Sequence, residues 1–158
     1  MRTSYLLFLT LTITIFGTTQ SRQKSKLCAP TYYIATDADF KGLANEMRVR
    51  GASNLPPGTR LGVDVYDSIG RGSTEFNEDA VATVNRNGFF EVVLRPKPGL
   101  AFRHNLVCNV VFMPTYPRQE PSVLEVTGKR GERLGFPENP QARVASGGYY
   151  LSETIYVP

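Results

Sequence analysis

The sequence has no tryptophan, one histidine (His104) and two cysteines (Cys28 and Cys108). A single imidazole removes most acid/base and metal-ligand sets, because most catalytic zinc and copper centres draw on two or more histidines. His104, Cys108 and Met113 are ligand types of a blue-copper site, but that site needs a second histidine, and Met113 has the opposite strand parity to the other two. A serine triad would depend on His104 alone, and no Gly-x-Ser-x-Gly elbow occurs; Ser73 and Ser146 stand beside glycines as loop serines do. If Cys108 is bonded or buried, a Cys-His pair is excluded as well. The sequence therefore proposes no catalytic, cofactor-binding or metal-binding residue. The missing tryptophan also weakens a carbohydrate-stacking reading of the tyrosines, whose abundance fits ordinary strand composition.

Long apolar runs are scarce too. The N-terminus "MRTSYLLFLTLTITIFGTTQS" combines Arg2, an apolar stretch diluted by threonines, and the small residues Gly17, Thr18, Thr19 and Ser21. The run is well below the roughly 20 apolar residues of a spanning helix, so residues 1–21 read as a secretory signal, with no transmembrane span after cleavage. The residues ahead of Cys28 (Ser25, Lys26, Leu27) do not match a lipoprotein signal. An exported protein, periplasmic or extracellular, is the expectation.

The net charge of +4 is concentrated where it says little about a folded surface. Arg2 leaves with the signal, and Arg22, Lys24 and Lys26 belong to the basic tail, which leaves fourteen basic and fourteen acidic residues from Leu27 onward. Such balance, with the signs interspersed, argues against nucleic acid as a partner.

Two cysteines in an exported chain predict a Cys28 to Cys108 disulfide. A loop of that length removes denatured-state entropy worth about 4 to 5 kcal/mol in the chain-entropy model. The alternative is two independent buried thiols.

What the chain does have is alternation. Met47 and Val49 alternate with Arg48 and Arg50; Leu61, Val63 and Val65 alternate with Asp64 and Tyr66; Phe90, Val92 and Leu94 oppose Phe89, Glu91, Val93 and Arg95. "HNLVCNVVFMP" is apolar on both faces except for Asn109, which predicts a central strand, and "SVLEVTG" and "GGYYLSETIYVP" extend the series. Asn87-Gly88 predicts a tight hairpin between "AVATVN" and "FFEVVLRP". Only "DFKGLANEM" suits a helical turn. In "SNLPPGT", Pro57 and Gly58 fit the two central positions of a type II turn, with Leu55 free to plug the end of the fold. The prediction is an all-β, single antiparallel β-sandwich of seven or eight strands, Ig-like or transthyretin-like, over residues 46–158, preceded by a basic tail and N-terminal segment at 22–45.

In their order, "VRGASNLPPGTRLGVDVYD", "NRNGFFEVVL" and "PSVLEVTGKRGERLG" resemble a group of bacterial exported domains with an S/T-NLP-x-GT-x-L turn. The resemblance covers about residues 49–135. It implies fold and export, and carries no catalytic residue.

The functional expectation is a non-enzymatic exported module that holds a protein or envelope polymer through its loops. Two loops are foremost: "SIGRGSTEFNED", with Arg71, Glu75, Glu78 and Asp79, and "KRGERLGFPENPQ", with Lys129, Arg130, Glu132 and Arg133. The rival reading is an enzyme or ligand carrier, hydrolase-like or calcium-dependent, using carboxylates around Glu75 to Asp79 or the pair Asp37 and Asp39 near Asn45. A third is strand pairing by an edge at "YYLSETIYVP". The disulfide expectation predicts that the denatured mature protein shows no thiol to a colorimetric reagent until reductant is added. Free thiols before reduction would refute the bridge.

Overall fold

The computed structural model describes residues 31–67, 77–99, 101–102 and 105–158. Eight strands are present among them: β1 (Ile34–Lys41), β2 (Glu46–Ser53), β3 (Arg60–Asp67), β4 (Asn77–Thr83), β5 (Phe89–Leu94), β6 (Leu106–Phe112), β7 (Ala142–Ala145) and β8 (Gly148–Val157). A single turn of 3-10 helix, Gly42–Ala44, joins β1 to β2, and a short helix α1 (Pro121–Thr127) lies between β6 and β7. The strands form two antiparallel sheets, ordered β1-β2-β5 and β4-β3-β6-β8-β7. The result is an all-β sandwich. β1 falls in the segment ahead of Glu46 and pairs with β2 over its whole length, from Ile34 opposite Ser53 to Lys41 opposite Glu46.

Period-two alternation decides which residues meet between the sheets. Met47 and Val49 of β2, Leu61, Val63 and Val65 of β3, and Leu106, Cys108, Val110 and Phe112 of β6 are buried in one continuous core. β6 is central to its sheet, as its two-sided apolar pattern requires, because β3 and β8 cover both its edges and Val107 on its second face is buried too. Glu153, the exception on the inward face of β8, is half-buried and accepts a hydrogen bond from Gln141 Nε2 at 2.7 Å. β7 flanks β8 only along Gly148 to Leu151, so the expected edge in "YYLSETIYVP" is confined to the second half of that strand.

The chain crosses between sheets twice at one end, and the two crossings are bonded to each other. In "SNLPPGT" the Thr59 amide donates to Pro56 O at 3.1 Å, with Gly58 at φ 87°, the positive value that a type II turn demands of its third residue. Leu55 is buried at the end of the core. The second crossing corrects the hairpin expectation. β4 pairs with β3 and β5 pairs with β2, so Asn87-Gly88 carries the chain from one sheet to the other. The reason is that the backbone of this segment finds its partners in the first crossing: Gly58 donates to Val84 O at 2.8 Å, Val84 to Thr59 O at 2.9 Å and Ser53 to Gly88 O at 2.8 Å.

"SVLEVTG" is also corrected, from strand to α1. Pro121 occupies the first turn, where its missing N–H costs nothing, and Gly128 follows the last helical residue at φ 89°. The buried residues are Val123 and Thr127, four apart, and the Thr127 hydroxyl donates to Val123 O at 2.9 Å.

The long connection 113–141 is tied down by side-chain amides acting as missing strand rungs. Gln119 accepts from the Arg60 amide at 2.9 Å and donates to Arg60 O at 2.7 Å and Met113 O at 3.1 Å. Gln141 accepts from the Ile34 amide at 2.7 Å and donates to Ile34 O at 2.7 Å. Buried Asn139 donates to Tyr32 O at 2.7 Å and Leu134 O at 2.8 Å. Replacing Gln119 with Met keeps the volume and strands three backbone groups, so stability in denaturant titration is expected to fall by about 2 to 4 kcal/mol. A loss below about 0.5 kcal/mol, the level of an ordinary surface change, would refute the rung role.

Candidate functional site

The outer face of the three-stranded sheet carries a shallow groove. Outward residues align in rows across β1, β2 and β5: Ala35, Ala52 and Phe89; then Asp37, Arg50 and Glu91; then Asp39, Arg48 and Val93. Arg50 donates to Asp37 Oδ2 from Nη2 at 2.9 Å and from Nε at 3.1 Å, and Arg48 Nη1 meets Glu91 Oε1 at 3.3 Å. The hydrogen-bonded Asp37 carboxylate holds the Arg50 guanidinium above its ordinary pKa. Both arginines on these rows are thus paired with a carboxylate. Against them the first row forms an apolar groove of about 630 Å³, floored by the β1 and β2 backbones and walled by Phe89, which is 57 % exposed. A ring so exposed, beside alanines too small to shelter it, can gain most of its burial from a second molecule.

The loop residues expected to bind are placed differently. Arg71 and Glu75 lie outside the described residues, as do His104 and Cys28. Glu78 and Asp79 belong to β4, opposite Val65 and Asp64, and Asp37 and Asp39, expected in a loop, stand on β1. β3 runs from Arg60 to Asp67, which lies opposite Leu106, and β6 returns to Phe112, from which the connection 113–141 departs. The flanks of "SIGRGSTEFNED" and the segment "KRGERLGFPENPQ" therefore sit at opposite ends of the five-stranded sheet, separated by about 20 Å of strand. They do not make one surface.

"KRGERLG" is a turn bonded to itself and to the β7-β8 hairpin. The Glu132 carboxylate accepts from the Arg130 amide at 3.1 Å, and backbone hydrogen bonds, its own amide first and then that of Arg130, hold its pKa below the usual carboxylate value. Arg133 donates to Glu125 O at 2.6 Å and Arg130 Nε to Gly147 O at 3.4 Å. Gly131 sits at φ 75° where a Cβ would lie 2.4 Å from Tyr149 O, so only glycine fits. The turn spends Arg130, Glu132 and Arg133 on its own architecture and leaves Lys129 on the surface.

Cys108 has a free thiol in the core; burial first, and Asp64 second, push its pKa up to about 12. A thiol so raised is inert as a nucleophile at neutral pH. Among the described residues no three His, Cys, Asp or Glu side chains converge as a metal site.

The outer face of the five-stranded sheet brings together a row that the alternation alone could not disclose: Asp79 opposite Asp64, Asp64 opposite Asn109, and Asn109 opposite Thr154. The Thr154 hydroxyl donates to Asn109 Oδ1 at 2.7 Å, and Asn109 Nδ2 donates to the Tyr66 hydroxyl at 3.2 Å. Burial, with the Asp79 charge adding to it, raises the Asp64 pKa. Paired carboxylates side by side are a cost to the fold. Phe89 did leave a trace in the sequence, as an aromatic on the polar face of "FFEVVL", whereas strand register was needed to pair Asp64 with Asp79.

Comparison of the chain with protein-family models, with curated proteins and with solved structures returns no match. The class is therefore defined by the architecture itself: an all-β sandwich of a three-stranded and a five-stranded antiparallel sheet.

Because the folded state raises the Asp64 pKa, the contribution of this group to stability is full below its unfolded pKa and is lost as pH rises through the folded one. Asp64→Asn should melt above wild type at pH 7, and the difference should close toward pH 3. Equal melting temperatures at pH 7 would refute the strain.

Proposed function

We propose that this chain is an exported β-sandwich module that holds a protein partner, without catalysis, on the outer face of its three-stranded sheet. The observation that carries the reading is the apolar groove beside exposed Phe89, set in a face whose two arginines, Arg48 and Arg50, are already paired. Such a seat suits an apolar or aromatic side chain of the partner, with Arg50, Asp37 and Glu91 orienting the peptide groups around it. Export and an oxidising compartment belong to the same reading, and so does the likeness to exported turn-motif domains.

The rival, an enzyme or ligand carrier using carboxylates, draws on one observation, the juxtaposed Asp64 and Asp79. Those residues lie on a sheet face where their charges oppose each other, and the raised Asp64 pKa follows from its burial first and the Asp79 charge second.

A photo-reactive residue placed at Glu91 in the native cells should trap one dominant partner in the wild-type background. Phe89→Asp should abolish the adduct while changing the melting temperature little, because Phe89 is an exposed side chain. An undiminished adduct in the Phe89→Asp background would refute the groove as the contact.

A further inference from the structure

The geometry points to a second binding site, beyond the groove reading and independent of it, that takes a carboxylate-bearing ligand. It is a recess of about 500 Å³ where the start of β3 meets the segment 114–121 and α1. Arg60, Thr115, Arg118 and Glu120 supply its polar wall, and Pro114, Pro121 and Leu124 its apolar one.

Two arginines, Arg60 and Arg118, line this one recess. Arg48, Arg50 and Arg95 each pair with a carboxylate, and Arg130, Arg133 and Arg143 donate to backbone carbonyls of Gly147, Glu125 and Ala142. Arg60 Nη1 donates to Arg118 O at 3.2 Å, which draws its side chain along the 118 backbone, and neither Arg60 nor Arg118 meets a carboxylate among the described residues. Two guanidiniums lining one recess offer the planar, multiple N–H donors that match a carboxylate. The base of Arg60 cannot drift, since the buried Gln119 amide clamps both its N–H and its C=O. Little ordering is left for a ligand to impose on that side.

Glu120 narrows the class further. Its carboxylate on the same rim repels a dianion and accepts from a donor, so the fitting ligand carries one carboxylate with an amide N–H, ammonium or hydroxyl close by. The C-terminal residue of a peptide and a sugar acid both present that pair. The proline and leucine wall would cover the remaining apolar surface of either.

The test is a ¹⁵N NMR titration of the mature protein with three probes at millimolar concentration: the tripeptide Gly-Gly-Leu, its C-terminal amide, and galacturonate. At least one of the two acids should give saturable shifts at Thr115, Arg118 and Glu120, and the amide should give none; which acid binds identifies the source of the carboxylate. Arg118→Gln should weaken that binding roughly 10- to 100-fold, the loss of one charged hydrogen bond. Arg86→Gln, outside the recess, and Phe89→Asp should leave it unchanged, which separates this site from the groove. No saturable shift with either acid, equal binding of the amide, or an unchanged affinity in Arg118→Gln would each overturn the inference.

Discussion

A buried peptide group without a partner costs as much as the hydrogen bond it forgoes, and strands that begin beside a loop face that cost on the side where no neighbour runs. In this sandwich the missing neighbours are side-chain carboxamides. Gln141 pairs both backbone groups of Ile34 at the start of β1, and Gln119 does the same for Arg60 at the start of β3. Asn139 secures Tyr32 just ahead of β1. All three amides come from the connection between β6 and β7, so one irregular segment closes the ends of both sheets. The consequence reaches both proposed sites, because Ala35 of the groove follows Ile34 and the recess is built on Arg60.

That dependence also explains which parts of the fold were legible. Alternation in β2, β3 and β5 predicted the inward residues, since burial between two sheets imposes a period of two on each strand separately. The central place of β6 and the corner at "SNLPPGT" were equally local properties. The hairpin expected at Asn87-Gly88 failed for a nonlocal reason: positive φ at a turn says nothing about which sheet receives the next strand, and the partners of Ser53 and Val84 lie in the other crossing. "SVLEVTG" failed because Leu124 and Val126 fit a strand's period of two, while the residues that are buried, Val123 and Thr127, are four apart, and Pro121 and Gly128, which mark a helix start and stop, were the better guide.

The candidate sites were less legible than the fold. Charged loops attract attention as contact surfaces, yet in "KRGERLG" the charges of Arg130, Glu132 and Arg133 satisfy backbone groups and Gly131 permits close approach to the β7-β8 hairpin. Conversely, the residues that carry the proposals, Phe89 on a strand and Arg60 at a strand's start, sit where a sequence suggests architecture. A side chain's availability depends on what surrounds it in three dimensions, and loop composition is a weak proxy for that.

The two proposed sites differ in the physics of recognition, and that difference constrains how they could work together. On the three-stranded face, Arg50 and Arg48 are already neutralised by Asp37 and Glu91, so association there draws on removal of apolar area from water and is insensitive to ionic strength. In the recess, Arg60 and Arg118 keep their charge for the ligand, and binding weakens as salt screens it. A partner engaging both would gain affinity from the groove and register from the recess, since a carboxylate held by two guanidiniums tolerates little displacement.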